Sequence, residues 1–348
     1  MSNATNKSTI GSPSGLSRRG MLTGSLLAGG AIAGTVLVPG PASAATPARS
    51  GPVGTVQVPG VQSSVDVSHT TSRPVELFSS YFRDKSSANP DRTMAHFATS
   101  PFTYIDAILG WPFYTWKSLH DFFVQYMPQW PSDARSYPTR IIGGPTGAVV
   151  FFTNTPGMFG PSELRLVGVV DFDRAGKIVR WVDYWDGRHF GIANLDALKL
   201  PDSQFPPDFR ESTVGENASQ PLKRVVASLV RALSDRDLAG ATALFSPDAT
   251  LVDHPSHLHI TGRRSIGSFF EGAGSRLPMA GAGLAVRHVV GGDLGGAYEW
   301  TASGVVPRGV TTLELDPWGR IARLDAMWDG ARVDEDTLLA LARAAVER

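Results

Sequence analysis

The residues best suited to chemistry lie in one alternating stretch near the middle of the chain. Successive side chains of a β-strand point to opposite faces, so Val179, Trp181, Asp183 and Trp185 would share one face. Loss of water around a carboxyl with apolar and aromatic neighbours raises its pKa, and such a group can hold or take a proton near neutral pH. The pattern predicts Asp183 as a general acid or base. The alternative is a buried Asp held by backbone groups or by an Arg.

A second stretch is dense in aromatic side chains. It reads Trp-Pro-Phe-Tyr-Thr-Trp over residues 111–116 and is followed by Tyr-Met-Pro-Gln-Trp over residues 126–130. Some of these rings must pack in a core, but their density beside Pro also suits a lid over an apolar ligand. We therefore expect Trp111 and Trp116 to contact a substrate.

A run of Asp and His over residues 253–259 raises the question of a metal site. It contains Asp253 and the three histidines His254, His257 and His259. Zinc ligands usually come from separate elements, or from positions four apart on a helix, whereas this run contains Pro and is typical of a loop. A solvated loop is the preferred interpretation, and neither a metal nor another cofactor is predicted.

Composition restricts the remaining chemistry. The 348 residues include no Cys, which excludes disulfides, iron–sulfur clusters, thiol nucleophiles and zinc sites built from Cys. The 32 basic and 32 acidic side chains balance, which argues against a nucleic-acid partner because such a partner requires a basic surface. An apolar fraction of 42% is enough for real cores, and the length favours two domains.

The first 44 residues are typical of an export signal. They contain no Asp or Glu, and Ser-Arg-Arg-Gly-Met-Leu over residues 17–22 resembles the twin-arginine motif. A Gly-rich apolar run follows, and Ala-Ser-Ala at 42–44 suits cleavage. The sequence predicts transport by the twin-arginine translocase and a location outside the cytoplasm. The alternative is an uncleaved membrane anchor.

The rest of the chain repeats itself. Three segments recur in the same order at nearly constant separation: 118–123 with 265–270, 141–144 with 289–292, and 179–187 with 322–330. This self-similarity predicts a duplicated domain. The expected boundaries are a signal peptide at 1–44, linkers at 45–70 and 201–220, and domains at 71–200 and 221–348. Within each domain, helices come early and antiparallel strands late, which predicts an α+β fold.

The second copy strongly resembles the SnoaL-like and ketosteroid isomerase-like superfamily, also called nuclear transport factor 2-like. The resemblance rests on residues 232–240, 243–245, 249–253 and 262–270, and the first copy matches through 102–123 and 168–187. It implies two tandem cone-shaped domains, each a curled antiparallel sheet that helices close around an apolar pocket. It also implies that the face carrying Asp183 looks into that pocket. The superfamily commonly dimerises through its sheets, so self-association of this kind is expected.

The same resemblance implies roles for individual residues. Asp183 stands where limonene epoxide hydrolase-like members keep an active-site Asp, and Tyr104 and Asp106 stand where they keep a Tyr and an Asn that hold the attacking water. The strand at 151–154 lacks the Arg and second Asp of those enzymes, so epoxide hydrolysis itself is in doubt. Asp106 and Asp253 also correspond to the base of ketosteroid isomerase. The second copy has Leu229 and Thr311 where that enzyme keeps its oxyanion-stabilising Tyr and Asp, which favours a structural role.

These observations predict an exported enzyme that uses acid/base chemistry in its first domain. Cyclisation, isomerisation, dehydration and hydrolytic ring opening of an apolar polyketide- or terpenoid-like molecule remain open as reactions. Substrate contacts are expected from Trp111, Trp116, Phe152, Asn154, Trp181 and Trp185. The alternatives are a non-catalytic binding protein for an apolar molecule and a structural protein whose domains pair through their sheets.

Overall fold

A computed structural model describes residues 54–57, 64–205, 209 and 217–346. The expected signal peptide at 1–44 lies outside the described residues. Within those residues, none of the helices has the length and apolar character needed to cross a membrane. We refer to residues 54–57 and 64–205 as the first half and to residues 217–346 as the second half.

The first half is built on an eight-stranded sheet in the order β1-β2-β5-β6-β7-β8-β3-β4. Its strands are β1 (Thr55–Gln57), β2 (Ser64–His69), β3 (Thr103–Asp106), β4 (Trp111–Phe113), β5 (Ser136–Gly144), β6 (Gly147–Asn154), β7 (Leu164–Phe172) and β8 (Ile178–Trp185). Its α-helices are α1 (Ser72–Ser86), α2 (Pro90–Met94), α3 (Trp116–Tyr126) and α4 (Ile192–Leu198).

The second half is built on a seven-stranded sheet in the order β11-β10-β15-β14-β13-β12-β9. Its strands are β9 (Asn217–Ala218), β10 (Phe245–Asp253), β11 (Leu258–Thr261), β12 (Ala285–Gly292), β13 (Gly295–Thr301), β14 (Arg308–Leu315) and β15 (Ile321–Trp328). Its α-helices are α5 (Gln220–Ser234), α6 (Leu238–Ala243), α7 (Arg263–Ala273) and α8 (Glu335–Ala344). The prediction of an α+β fold with two curled sheets and flanking helices is confirmed.

Both sheets are built in the same way. In each, four long antiparallel strands follow one another, and the last of them then pairs in parallel with a strand from earlier in that half. These parallel pairs are β3 with β8 and β10 with β15. The helices lie against the inner face of each sheet and complete a separate apolar core, whose largest members include Trp181 in the first half and Trp328 in the second.

The outer faces of the two sheets pack against each other within the chain. Val149, Val167 and Val182 of the first half join Val290 and Val310 of the second in one buried cluster. The two Gly-Gly pairs that recur in the sequence lie at this contact. A Cβ placed on Gly144 would stand 3.2 Å from the Cα of Gly292, so the strands approach each other at a distance that side chains would prevent.

Buried charges also cross this contact. The guanidinium of Arg180 donates from both terminal nitrogens to the carboxylate of Glu299, each at 2.8 Å, and both side chains are fully buried. Burial favours the neutral acid, but Arg180 outweighs it and holds the pKa of Glu299 below its ordinary value. A second group joins Arg140 to Glu314 at 3.1 Å and to Asp325 at 2.8 Å.

Two predicted boundaries need correction. Residues 45–70 were expected to be a linker, but Ser64–His69 forms β2, with Val65 and Val67 buried in the first core. The alternation of apolar and polar residues in this strand is only six residues long and follows a Pro- and Gly-rich stretch. In the expected linker at 201–220, Asn217–Ala218 forms β9, and Phe205 and Phe209 are buried between the sheets.

We predict that the Arg180–Glu299 pair is essential to the packing of the two halves. Glu299→Ala should lower the free energy of unfolding by about 3–5 kcal/mol, because it removes the carboxylate that accepts two hydrogen bonds from the buried guanidinium and leaves Asp171, at 3.6 Å, as a more distant acid. Urea denaturation, monitored by tryptophan fluorescence, measures this change in the free energy of unfolding. The control is Glu163→Ala, which removes the exposed partner of Arg165 and should cost less than about 1 kcal/mol. Equal losses in the two variants would contradict the prediction.

Candidate functional site

The parallel pairing of β3 with β8 creates a compact polar site on the inner face of the first sheet. The register places Tyr104 beside Trp181 and Asp106 beside Asp183. Paired residues on neighbouring strands point to the same side of a sheet, so all four side chains share the inner face. The structure thus brings together the three predicted catalytic residues and one predicted substrate contact.

The carboxylate of Asp183 accepts a hydrogen bond on each oxygen. The hydroxyl of Tyr104 donates to one oxygen, and the indole N–H of Trp181 donates to the other at 2.5 Å. Burial raises the pKa of Asp183 to about 6, although both hydrogen bonds and the charge of Lys85 favour the ionised form. Asp183 is therefore mostly ionised at neutral pH but poised to accept a proton.

The neighbouring carboxyl of Asp106 is held in a similar way. One oxygen accepts the backbone N–H groups of Ile108 and Leu109 at 2.9 and 2.8 Å, and the other accepts the indole N–H of Trp185 at 3.0 Å. Burial and, to a smaller extent, the charge of Asp183 raise the pKa of Asp106 to about 7 against the opposing hydrogen bonds. Between about pH 6 and about pH 7, the two carboxyls together carry about one proton.

A glycine makes room for the indole that supports Asp183. Gly168 on β7 lies opposite Asp183 in the sheet. A Cβ at this position would lie 2.9 Å from two atoms of the Trp181 ring, so the indole lies directly over the bare backbone. The ring of Phe152, another predicted substrate contact, meets the same indole edge-on with the ring centroids 5.9 Å apart.

Sequence reasoning missed a buried lysine on the same inner face. Lys85 on α1 donates to the side-chain oxygen of Asn154 at 3.3 Å, and the hydroxyl of Ser136 donates to that oxygen at 2.6 Å. Burial lowers the pKa of Lys85 to about 8, against the opposing charge of Asp183. The available signal was its position three and seven residues after Phe82 and Phe78, on the apolar stripe of α1.

Half-buried aromatic rings lie beside Tyr104 on β4 and α3. Tyr104 and Asp106 themselves retain accessible surface. The ring of Phe113 contacts that of Tyr104 at 6.0 Å, and the ring of Phe122 lies 5.3 Å from Phe113 and 6.3 Å from Trp111. The aromatic stretch predicted as a lid therefore forms edge strand β4 and the face of α3 beside it.

Trp116 occupies a different part of the first half. Its indole N–H donates to the backbone oxygen of Met94 at 2.9 Å, and its ring stacks on that of His120 at 4.8 Å. These contacts tie α3 to α2. By contrast, the indole N–H of Trp111 donates to the backbone oxygen of Leu198 and ties β4 to α4.

The second half repeats one part of this site without the rest. The indole N–H of Trp328 donates to Asp253 at 2.8 Å, as Trp185 does to Asp106, while the other oxygen of Asp253 accepts from the backbone and hydroxyl of Ser256. Leu251 and Ala326 occupy the places of Tyr104 and Asp183. The second half thus holds a single buried carboxyl where the first half holds a pair.

The histidines at 254–259 belong to the β10–β11 hairpin and its turn. His254 pairs with Asp325 at 3.1 Å, on the side of the sheet that faces the first half, and the ring of His257 lies 6.3 Å from that of His189. Among the residues that the structure describes, no group of three or more His, Cys, Asp or Glu is arranged to hold a metal ion.

Comparison with known proteins gives a family match in the second half. Residues 226–328 match the family described as the SnoaL-like domain. No curated protein matches the sequence.

Several solved structures are similar to parts of the chain. A steroid delta-isomerase from Pseudomonas aeruginosa is 17% identical, with 38% of this chain and 93% of that chain covered and a TM-score of 0.30. An NTF-2 like protein of unknown function from Burkholderia xenovorans is 18% identical, covering 32% and 84% with a TM-score of 0.28. A SnoaL-like protein of unknown function from Burkholderia thailandensis is 11% identical, covering 32% and 97% with a TM-score of 0.28.

The raised pKa of Asp106 predicts a specific dependence of stability on pH. Between pH 3.8, the ordinary pKa of an Asp, and about pH 7, the carboxyl of Asp106 keeps its proton in the folded protein but loses it in the unfolded chain. Its contribution to the free energy of unfolding therefore falls as the pH rises through this range. Asn stays neutral. The stability of Asp106→Asn relative to the unaltered protein should therefore rise between about pH 4 and about pH 8, by about 2 kcal/mol after allowance for partial exposure.

Urea unfolding at intervals of about one pH unit measures this difference. Asp121→Asn on the exposed face of α3 is the control and should show little change with pH. A difference between Asp106→Asn and the unaltered protein that stays constant with pH would contradict the raised pKa.

Gly168→Ala tests the support of Asp183 by Trp181. The added methyl group meets the rigid indole at 2.9 Å, so we expect a loss of about 1–3 kcal/mol in the free energy of unfolding. Gly304→Ala is the matched control, because a Cβ there meets nothing within 4 Å. If both variants unfolded at the same urea concentration, the close packing of Trp181 on Gly168 would be disproved.

Proposed function

We propose that the chain is an enzyme that moves protons on an apolar small molecule bound against the inner face of the first sheet. The observation that carries this proposal is the adjacent pair Asp106 and Asp183, whose pKa values of about 7 and about 6 both lie close to neutral pH. Neighbouring acids in this range supply both a base and a proton donor under physiological conditions.

The roles of the two acids follow from their hydrogen bonds. Asp183 receives donors from Tyr104 and Trp181, which stabilise its anion, so it acts as the base that removes a proton from the substrate. Asp106 keeps its proton to higher pH and returns a proton to a substrate oxygen or carbon. Tyr104 and Asp106 orient the substrate oxygen or a water molecule. This exchange suits isomerisation, dehydration, cyclisation or hydrolytic ring opening, and its proton balance needs no outside oxidant.

The surroundings of the pair support an apolar substrate. Half-buried rings of Trp111, Phe113 and Phe122 lie on β4 and α3, and Phe152, Trp181 and Trp185 lie deeper in the core. A polyketide- or terpenoid-like skeleton would bury its surface against these rings, at about 25 cal/mol per Å².

One observation favours a second candidate, a binding protein without catalysis. The Asp–Trp hydrogen bond of Asp106 and Trp185 recurs in Asp253 and Trp328, where no second carboxyl is present. This bond therefore also serves to join the two strands of the parallel pair in each sheet. A binder would use the same apolar interior and have no need of Asp183.

The sequence supports two further parts of the proposal. The twin-arginine motif at 17–22 and the cleavage site at 42–44 support export, so the enzyme would act outside the cytoplasm. The matching strand orders and parallel closures of the two halves support their origin by duplication.

The test compares the unaltered mature protein with Asp183→Asn by native mass spectrometry after incubation with an organic extract of the producing culture. We expect the unaltered protein to convert a compound that the variant only retains, with turnover reduced at least about 100-fold, since a positioned base contributes about that much or more. Asp253→Asn, the corresponding buried acid of the second half, should leave turnover within about twofold.

Either of two other results would change the assignment. Equal turnover in Asp183→Asn would remove Asp183 from the reaction. A compound retained unchanged by all three proteins, and lost on Trp111→Ala, would favour the binding protein.

A further inference from the structure

Lys85 is a buried charged side chain on which the charge of Asp183 acts from beyond ion-pair distance. It lies on the apolar stripe of α1 with Phe78, Tyr81 and Phe82, and only 3% of its surface is exposed. Its side chain thus points into the interior of the first half, on the same side of the sheet as Asp183.

The ammonium group has few polar partners. It donates to Asn154 at 3.3 Å, and that oxygen already accepts a shorter hydrogen bond from Ser136. An ammonium has three N–H donors. Within the described part of the chain, no carboxylate oxygen lies within 4.0 Å of the Lys85 nitrogen. At least two of its donors therefore lack a protein acceptor.

Aromatic rings enclose the rest of the ammonium. The nitrogen lies 5.1 Å from the ring centre of Phe152, 5.5 Å from Phe159, 5.9 Å from Phe82 and 6.0 Å from Tyr81. Such rings attract a cation but do not replace its hydration. Burial lowers the pKa of Lys85 only to about 8, so the group remains mostly charged at neutral pH.

The position of Lys85 connects it with a second group of half-buried aromatic rings. Phe159 is half-buried, and its ring meets that of the half-buried Trp130 at 5.4 Å. Lys85 thus lies directly beneath rings that still have accessible surface, while Phe152 connects it to Trp181 and the carboxyl pair. A molecule seated against these rings would bring its atoms to the unused donors.

We propose that Lys85 is an anion-binding residue, which holds a negatively charged oxygen of an apolar ligand within the first half. The inference deepens the proposed function and rests on it, because it assumes that a ligand occupies this interior. It narrows the substrate class to apolar molecules that carry a carboxylate, or an enolate formed when Asp183 removes a proton. A buried cation recognises such an oxygen strongly because no water competes for it.

A pair of fluorescent probes that differ in charge tests this inference. 1-Anilinonaphthalene-8-sulfonate and N-phenyl-1-naphthylamine share an aromatic skeleton, and only the first carries an anion. The unaltered protein should bind the anionic probe more tightly. Lys85→Met keeps the unbranched apolar stem without the charge, and it should weaken binding of the anionic probe at least about tenfold while leaving the neutral probe within about twofold.

Lys117→Met is the matched control. Lys117 is an exposed lysine on α3 paired with Asp121, so its loss should change the binding of neither probe. Loss of the same preference in this variant would show that general surface charge, and not Lys85, selects the anion.

A second measurement needs no variant and so avoids any effect on folding. In the unaltered protein, affinity for the anionic probe should fall by up to about tenfold per pH unit above about pH 8, as the ammonium loses its proton. The neutral probe should show no such decline.

The remaining outcomes overturn the inference in distinguishable ways. Tight binding of the neutral probe without preference for the anion would disprove the role of Lys85 and leave the proposed function intact. Binding of neither probe would disprove the anion site, while turnover by the unaltered protein and its loss in Asp183→Asn would still decide the proposed function. An irreversible mass increase after borohydride treatment with a carbonyl compound, absent from Lys85→Met, would identify Lys85 as a nucleophile instead.

Discussion

The parallel pairing of β3 with β8 is the constraint on which the candidate site depends. Asp106 and Asp183 are distant in sequence, and only this register places them side by side on the inner face. The hydrogen bond from Trp185 to Asp106 holds the same two strands together. A shift of one residue would turn one of the two carboxyls to the outer face, where the second sheet packs. The pairing of β3 with β8 therefore both completes the sheet and brings the two carboxyls of the site together.

The two halves show how one fold can hold different interiors. Both close their sheets with an Asp–Trp hydrogen bond, at Asp106 in the first half and Asp253 in the second. Only the first half adds a second carboxyl, that of Asp183, and further groups stabilise this buried charge. Tyr104 and Trp181 supply hydrogen bonds, and Lys85 supplies a compensating charge. A carboxyl pair in an apolar core costs stability, and proteins retain such groups mainly where they have a function.

The packing of the two sheets explains why the candidate site lies inside the first half and not between the halves. The outer faces are filled by apolar side chains and by ion pairs such as that of Arg180 with Glu299. Burial of the ion pair removes both charged groups from water, and the two short hydrogen bonds between them compensate for most of the lost hydration. Each sheet thus packs one face against the other sheet and the other face against the helices of its own half. Of the two cores that the described residues form, the first contains the pair of acids.

The sequence by itself determined the features that depend on short spacing. Alternation placed Trp181, Asp183 and Trp185 on one face, the repeats marked corresponding strands, and the early helices and late strands predicted the α+β fold. Local pattern could not reveal β2, whose six residues gain their order from pairing with β5. The substrate contact expected from Trp116 is not placed beside the carboxyls, since its ring packs between α2 and α3.

Only the tertiary structure decided which distant groups share an environment. It placed Lys85 within reach of Asn154, Asp106 beside Asp183, and Arg180 against Glu299. These contacts set the burial of each charge and its neighbours, and those two quantities fix the pKa values from which the proposed chemistry follows. The physical reason is that electrostatic interactions depend on distance and on excluded water in three dimensions, which no local spacing along the chain records.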